Sequence, residues 1–200
     1  MSVQDRIRWD AIFKQRQQKP YPDPDQLLLD YAPDPDTEAR LRPRALDLAC
    51  GVGQNGIWLA KQGYSVDLMD ISREALKRAR KEMAIQNIRN ANLLQTDIDK
   101  LVLRRSGDCA RLHEICPESY HVVTVFRYLR RPLFPILSAM VKSGGHLIYE
   151  TFNERYLEQV PDFNQDFLLR DGELEEAFIN WRFVYYSESS YRTRMVAVKP

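Results

Sequence analysis

Residues 44–72 read RALDLACGVGQNGIWLAKQGYSVDLMDIS, and this stretch decides the fold. A short apolar run, 45–49, has the length of a buried strand, and it leads through a glycine turn into an apolar run of helical character. Gly63 is typical of a residue that ends a helix in the left-handed conformation. A second apolar run, 64–69, then ends at Asp70. The stretch therefore predicts strand, glycine turn, helix, strand and acid, which is a parallel crossover unit.

The glycine turn and the acid are expected at the same edge of the sheet, where open α/β sheets bind ligands. Gly51 and Gly53 have no side chain, so the backbone can bend sharply and a ligand can approach it closely. The N-terminus of the following helix offers unpaired N–H groups. Asp70 can accept hydrogen bonds from the two adjacent hydroxyls of a ribose, each contributing roughly 1.5–3 kcal/mol. The unit predicts a site for a nucleoside-bearing cofactor.

Two kinds of nucleoside cofactor are compatible with this turn. Gly51, Gly53 and Gly56 fit the G-x-G-x-x-G fingerprint of dinucleotide binding, which makes an NAD(P)-dependent oxidoreductase one alternative. Asp47 lies inside the first predicted strand, four residues before Gly51. A carboxylate at that position would lie close to a pyrophosphate and repel it. It suits a cofactor that carries cationic ammonium and sulfonium groups.

The D-x-A-C-G-x-G pattern that begins at Asp47 resembles motif I of the class I S-adenosylmethionine (SAM)-dependent methyltransferases. Residues 46–72 are most similar to small bacterial enzymes of the tellurite-resistance methyltransferase type, in which the motif commonly reads D-L-A-C-G-x-G-R-N. This chain keeps Asn55, but it has Gln54 in the arginine position and Gly56 where alanine is common. These departures weaken the case for a metalloid substrate and leave the SAM-binding pattern intact.

The resemblance implies a set of site residues. In this family the acid of motif I lies near the methionine end of SAM, the acid after the second strand binds the ribose, and an Asp after the third strand accepts from the adenine amino group. The residues implied to bind the cofactor are Asp47, Ala49, Cys50, Gly51, Gly53, Asn55, Asp70, Ile71, Asp97, Ile98 and Phe126. The fourth strand ends beside the transferred methyl group in this family, so Arg127 and Tyr128 are expected on the substrate side, with Trp9 and Tyr21 as further candidates.

The activity that the resemblance implies is methyl transfer from SAM to a small-molecule acceptor by in-line displacement. Because the methyl group is already activated, the protein mainly supplies proximity and alignment, which can contribute roughly 7–11 kcal/mol. Residues 126–129 read FRYL, where enzymes that methylate bases or glutamine carry an Asn-Pro-Pro-Tyr-like motif, and this favours a small acceptor. The sequence predicts no particular catalytic residue or general base. A non-catalytic SAM-binding protein stays an alternative, because an intact cofactor site does not prove turnover.

The composition of the chain limits which other classes of protein it can belong to. The chain has 200 residues, enough for one domain with a sizeable core, and a net charge of +1, so nothing global indicates nucleic acid or an anionic membrane. No apolar stretch is long enough for a membrane span, and the N-terminus lacks the apolar core of a signal peptide. Cys50, Cys109 and Cys116 have no metal or redox spacing, which predicts a reduced, cytoplasmic protein without a metal site. The basic run after Ser72 is interpreted as the solvated face of a helix.

Residues 1–43 are predicted to form an N-terminal helical arm, and residues 44–200 the methyltransferase domain. Apolar positions at helical spacing predict a helix over residues 4–19. The repeated PDPD sequence favours turns around a short helix from Gln26 to Tyr31, because proline disfavours helix in the residue before it. The arm either packs on the edge of the domain or closes over the active site as a lid, which is a common role of this segment in the resembled family.

The rest of the chain predicts an α/β fold with a Rossmann-like, seven-stranded, mostly parallel sheet, helices on both faces and a C-terminal antiparallel hairpin. Further strands are expected at 91–96, 120–126 and 146–150, with the hairpin strands at 181–186 and 191–198. A helix over 133–141 is expected to end at a glycine stop, Gly144-Gly145, and Asp171 is expected to cap the last helix. The aromatic insert 152–170 either covers the substrate or packs on the sheet edge.

Overall fold

A seven-stranded sheet forms the centre of the computed structural model, which describes residues 3–36, 41–103 and 114–200. The strands are β1 (Arg44–Leu48), β2 (Ser65–Asp70), β3 (Ala91–Gln95), β4 (Val102–Leu103), β5 (Glu114–Ile115), β6 (Tyr120–Phe126), β7 (Val141–Phe152), β8 (Arg182–Ser187) and β9 (Arg192–Val198). The helices are α1 (Val3–Gln15), α2 (Gln26–Tyr31), α3 (Gln54–Gln62), α4 (Arg73–Ile85), α5 (Phe134–Met140) and α6 (Glu173–Ala177).

The main sheet has the strand order β3-β2-β1-β6-β7-β9-β8, and β4 pairs separately with β5. The pairs β3–β2, β2–β1, β1–β6 and β6–β7 are parallel, whereas β9 runs antiparallel to both of its neighbours. The first five strands thus follow the doubly wound order, and the C-terminal hairpin inserts its second strand beside β7. This confirms the predicted α/β fold with a mostly parallel sheet and a closing antiparallel hairpin.

The core lies on both faces of the sheet because side chains alternate along each strand. In β1, Leu46 and Leu48 pack on one face with α5 and α6, while Ala45 packs on the other face with α2, α3 and α4. In β6, Val123 and Val125 share the first face and Val122 the second. The expected helices on both faces of the sheet are therefore present.

Several local predictions agree with the structure. Gly63 ends α3 with φ 116°, in the left-handed region that glycine adopts without a steric penalty. Ser72 caps α4, and its side-chain oxygen accepts a hydrogen bond from Ala75 N at 3.2 Å. The short helix α2 has the predicted bounds. The hairpin strands begin one residue later than expected, which is a normal uncertainty of strand boundaries.

Two predicted boundaries are wrong. Helix α5 ends at Met140, and the chain passes directly into β7, where Val141 pairs with Tyr120. Gly144 and Gly145 lie inside β7 at an irregularity in its pairing with β6, so they bend a strand and do not end a helix. Gly172, in the left-handed conformation, occupies the N-cap of α6 in place of Asp171.

The cysteines differ from the sequence prediction in one respect. Cys50 is a free, buried thiol. Cys116 is disulfide-bonded, so the expectation of a reduced protein is wrong for this residue. Cys109 lies outside the described residues, and the cytoplasmic location predicted from the cysteines stays a prediction. Among the helices that the structure describes, none is both long and apolar enough to pass through a membrane.

We predict that Gly53→Ala destabilises the protein more than Gly144→Ala. Both glycines have φ near +80°, so alanine costs roughly 1–2 kcal/mol at either position. At Gly53 the added methyl would also overlap the Leu68 side chain, whereas nothing lies within 4 Å at Gly144. Overpacking adds roughly 1–3 kcal/mol, and urea unfolding of the two variants measures the difference. Equal losses of unfolding free energy in the two variants would contradict this prediction and would show that the Leu68 side chain can move away from the added methyl without cost.

Candidate functional site

A cavity of about 730 Å³ opens at the carboxyl ends of the central strands, on the edge where the sequence predicts a ligand. Its lining includes residues that follow β1, β2, β6 and β7, together with one face of α1. The topology explains this position: the chain passes from β1 to β2 and β3 on one side of β1, then crosses back to β6 on the other side, so the strand order reverses at β1 and a crevice forms there.

The turn after β1 forms the floor of the cavity. Ala49 and Gly51 have φ values of 54° and 56°, and both line the cavity with Cys50. Cys50 N donates to Met69 O at 3.0 Å, which ties the turn to the end of β2. Left-handed backbone at a non-glycine residue costs energy and is concentrated at functional sites. Gly53, at the N-cap of α3, lies behind this floor and does not line the cavity.

Asp70 joins the ends of β1 and β2. Its carboxylate accepts hydrogen bonds from Gly51 N at 2.8 Å and from Ser72 N at 2.7 Å, one on each oxygen. Burial, which these backbone hydrogen bonds oppose, raises the pKa of Asp70 to about 6. Asp70 and its neighbour Ile71 both line the cavity. A carboxylate has about four acceptor positions, so two remain for the hydroxyls of a ligand.

Asp47 lies beneath the turn and not on the cavity wall. It is 2% exposed, and it accepts hydrogen bonds from Gly56 N at 2.8 Å and from the Thr124 hydroxyl at 3.0 Å. Burial raises the pKa of Asp47 to about 7. Its observed contacts fix the start of α3 against β6. Its charge near the cavity is weaker than the sequence argument assumed, because the carboxyl is partly protonated at neutral pH.

Asn55 connects α3 to the N-terminal arm. Its side-chain oxygen accepts from Asp25 N at 2.8 Å, and its side-chain nitrogen donates to the Asp25 carboxylate at 2.9 Å. The same carboxylate accepts two hydrogen bonds from the Arg127 guanidinium. Burial opposes the shift, but the Arg127 charge and hydrogen bonds lower the pKa of Asp25. Asn55 therefore acts behind the cavity, while Arg127 reaches its wall.

The end of β3 contributes two residues to the cavity, Ile98 and Asp99. Ile98 is fully buried. Asp97 caps the short 3-10 helix that begins at Ile98, where its carboxylate accepts from Asp99 N at 3.2 Å, and it does not line the cavity. Asp99 forms a two-pronged ion pair with Arg130, at 2.9 and 2.8 Å. Sequence reasoning missed both Asp99 and Arg130.

One face of α1 covers the cavity with side chains at helical spacing, Asp5, Arg8, Trp9 and Phe13, and Arg16 follows just after the helix. Asp10 on the adjoining face accepts from the Ser72 hydroxyl at 2.7 Å and from Glu74 N at 3.1 Å. The arm thus docks on the N-terminus of α4.

The other predicted substrate residues differ in position. Trp9 and Tyr128 line the cavity with Arg127. Tyr21 does not: its hydroxyl donates to Val52 O at 2.7 Å and its ring packs under the Arg78 guanidinium, so it fastens the arm to the glycine turn. Arg78 donates to the carbonyls of Arg16, Lys19 and Pro20, which sequence reasoning missed when it assigned this side chain to a solvated surface.

Aromatic side chains from the insert after β7 complete the cavity. Phe152, Phe163 and Phe167, which we call the aromatic wall, all line it. Phe152 stacks on Tyr156 with the ring centroids 4.3 Å apart and meets Phe163 edge-on at 6.0 Å. These contacts favour covering the substrate, one of the two roles considered for the insert.

Within the described ranges, no group of three or more His, Cys, Asp or Glu side chains is placed to hold a metal ion.

Residues 45–135 match the family model described as a methyltransferase domain. A ubiquinone biosynthesis O-methyltransferase from Vibrio parahaemolyticus is 30% identical over 115 residues, which cover 55% of this chain and 44% of that protein. The chain therefore spans less than half the length of this curated relative. These two matches confirm the resemblance to methyltransferases that the sequence analysis describes.

Solved structures show the same fold. TehB from Haemophilus influenzae matches with a TM-score of 0.62 and 18% identity, over 79% of this chain and 58% of TehB. The PH0226 protein from Pyrococcus horikoshii matches over 100% of this chain and 92% of its own, with a TM-score of 0.62 and 18% identity. Geranyl diphosphate C-methyltransferase from Streptomyces coelicolor matches with a TM-score of 0.59 and 12% identity, over 79% of this chain and 71% of that one.

We predict that Asp47→Asn gains stability relative to the parent protein as the pH rises from about 4 to about 7. The folded protein holds the Asp47 proton up to about pH 7, whereas the unfolded chain releases it near pH 4, so ionisation progressively destabilises the parent over this window. The variant lacks this titration. Urea unfolding at several pH values measures the difference, with the exposed Asp162→Asn as control. If the difference in unfolding free energy between the parent and Asp47→Asn does not change with pH, the pKa of Asp47 is not raised by burial.

Proposed function

We propose that this chain is a SAM-dependent methyltransferase that acts on a small-molecule acceptor. The observation that carries the proposal is the glycine turn after β1, which the Asp70 carboxylate holds at the floor of the cavity through a 2.8 Å hydrogen bond from Gly51 N. The match of residues 45–135 to a methyltransferase domain supports it. SAM supplies a methyl group on a positively charged sulfur, already activated for transfer.

The residues present fit this cofactor. A side chain at Gly51 would meet the Phe13 ring at 3.3 Å, so the bare backbone at this position lets α1 approach the turn closely. Asp70 keeps acceptor positions for the two ribose hydroxyls. Ile71 and Ile98 offer apolar surface to an adenine, and Phe126 lines the same cavity. Gly53, Asn55 and Asp47 would act indirectly, by fixing the turn and the start of α3.

The ionisable groups of the cavity favour an acceptor that needs little help from a base. Burial raises the pKa of the Tyr128 hydroxyl and that of the Cys50 thiol, so both stay protonated at neutral pH. Asp99 is paired with Arg130. A soft nucleophile such as a thiolate attacks a sulfonium methyl without general-base assistance. In this proposal the protein aligns the acceptor and excludes water, which can supply most of the rate enhancement.

We also propose that the N-terminal arm closes over the cavity as a lid. Helix α1 contains no buried residue, yet four of its side chains line the cavity. Polar contacts hold it in place, chiefly those of Asp10 with α4 and of Arg78 with the arm carbonyls. A segment with little buried apolar surface opens at low cost in free energy, which a ligand needs in order to enter.

An enclosed cavity of this size suits a small molecule better than a nucleic acid strand. The basic side chains of α4 are also partly engaged within the protein, since Lys77 pairs with Glu74 and Arg78 holds the arm. We therefore propose a small-molecule acceptor and no nucleic acid substrate.

The cofactor assignment predicts that Asp70→Asn weakens SAM binding by roughly 30- to 1,000-fold, the loss of about 2–4 kcal/mol of charge-assisted hydrogen bonding. Asp67→Asn is the matched control, because Asp67 lies on the same strand but pairs with Arg44 outside the cavity. Isothermal titration calorimetry of SAM measures the affinities, with thermal unfolding to check the fold. Equal affinities of the two variants would contradict the role of Asp70.

The transferase activity itself is tested by S-adenosylhomocysteine (SAH) formation from SAM with a panel of thiol and oxyanion acceptors. We expect acceptor-dependent SAH formation by the parent protein and by Asp67→Asn, and a large loss in Asp70→Asn. SAM binding without product from any acceptor in the panel would favour a SAM-binding protein without transferase activity.

The lid proposal predicts that Arg78→Gln speeds trypsin cleavage after Lys14 and Arg16 by about tenfold, the effect of ~1.4 kcal/mol weaker docking. Saturating SAH should slow cleavage in the parent protein, because a ligand between α1 and the glycine turn stabilises the closed arm. Arg80→Gln, an exposed substitution on the same helix, is the control. Equal cleavage rates in the two variants, and no protection by SAH, would contradict a lid.

A further inference from the structure

We propose that the methyl acceptor is an anion with a flat apolar body of about the size of one or two rings. This inference deepens the proposed function and rests on it. It comes from two features of the cavity that the cofactor does not use: an excess of cationic side chains, and an aromatic wall that faces the cavity opposite the glycine turn.

The lining is strongly cationic. Its basic side chains are Arg8, Arg16, Lys19, Arg78, Arg127 and Arg130, and its acidic side chains are Asp5, Asp70 and Asp99. SAM carries an ammonium, a sulfonium and a carboxylate, so binding it adds one further positive charge. A cavity with this balance of charge favours an anionic acceptor over a cationic one, most strongly at low salt because Arg8, Arg16 and Lys19 are exposed.

The ion pairs of the cavity leave this excess in place. Asp25 neutralises Arg127, and Asp99 neutralises Arg130. Arg78 binds three backbone carbonyls, which satisfy its N–H groups but do not cancel its charge. The side chains of Arg8, Arg16 and Lys19 make no carboxylate contact with the residues that the structure describes. The uncancelled charge therefore lies mainly on the N-terminal arm, where it faces the cavity.

Arg127 and Arg130 offer directed hydrogen-bond donors, although their charges are paired. A guanidinium has five N–H donors, and each of these two spends two of them on its aspartate. Both lie on the loop that follows β6, at the substrate end of the cavity, and Arg127 is held in the left-handed conformation with φ 56°. An anionic group can thus be bound in a fixed orientation beside the methyl-transfer position.

The apolar side of the cavity fits a ring system. Phe167 is 41% exposed and Trp9 is 36% exposed, which are high values for large rings in a folded protein. Both line the cavity, together with Phe13, Phe152 and Phe163. Phe152 is fixed by its stack on Tyr156, so part of this surface is rigid before any ligand arrives. Aromatic rings gain stabilisation from a second flat ring beyond the area buried.

The test uses three probes with the same naphthalene body: 2-naphthoate, 2-naphthamide and 2-naphthylmethylammonium. Each is titrated into the SAH-loaded protein by calorimetry at low salt. We expect 2-naphthoate to bind at least tenfold more tightly than 2-naphthamide, the ammonium probe to bind most weakly, and the preference for the anion to shrink as salt is added. A neutral or cationic probe that binds as tightly as 2-naphthoate, or binding of none of the three, would overturn the inference.

A charge-matched pair of variants locates the effect. The triple substitution Arg8→Gln, Arg16→Gln and Lys19→Gln removes the arm charges and leaves the carbonyls that bind Arg78 in place. The control, Arg73→Gln, Arg80→Gln and Lys81→Gln, removes the same charge from exposed positions of α4 outside the cavity. Only the first should abolish the preference for 2-naphthoate over 2-naphthamide, with little change in the binding of 2-naphthamide. Equal effects of the two variants would overturn the inference.

The two proposals fail in different ways. If SAH itself does not bind, the proposed function fails at the cofactor step. If SAH binds but the probes show no preference for the anion, only the acceptor inference fails.

Discussion

The hydrogen bond from Gly51 N to the Asp70 carboxylate is the constraint on which the site depends. It closes the turn after β1 against the end of β2, so two segments distant in sequence hold one another in the geometry that a ligand meets. The backbone that it fixes is costly, because Ala49 and Gly51 both have positive φ. The Asp70 carboxylate stabilises the fold through two of its acceptor positions and keeps the others for a ligand. This double role explains why an acid is buried at this point.

A second set of polar contacts makes the cavity a property of the whole chain. Asp25 binds Asn55 on α3 and Arg127 after β6, and Tyr21 binds the carbonyl of Val52 in the glycine turn. The arm therefore contacts the turn, the first helix of the domain and the substrate end together. In the proposed cycle only α1 opens and exchanges its hydrogen bonds with α4 for water, while α2 stays in the core through Leu27 and Leu28.

Local signals predicted most of the fold and the floor of the site. The glycine turn, Gly63, the Ser72 cap and Asp70 each depend on neighbouring residues, and all lie as the sequence indicates. The errors share a cause, because each depends on a distant partner. Helix α5 stops early since Val141 pairs with Tyr120, and Asp25 and Asp99 enter the site through arginines about 102 and 31 residues away. No periodicity or short motif in the sequence indicates such long-range strand and ion pairs.

The central claim is that the turn and Asp70 form a SAM site and not a dinucleotide site. Calorimetric titration of SAM, SAH and NAD into the unmodified protein tests it most directly. We expect micromolar binding of SAM and SAH with no measurable heat from NAD. Binding of NAD without binding of SAM would contradict it and would make the Gly51, Gly53 and Gly56 pattern a dinucleotide fingerprint.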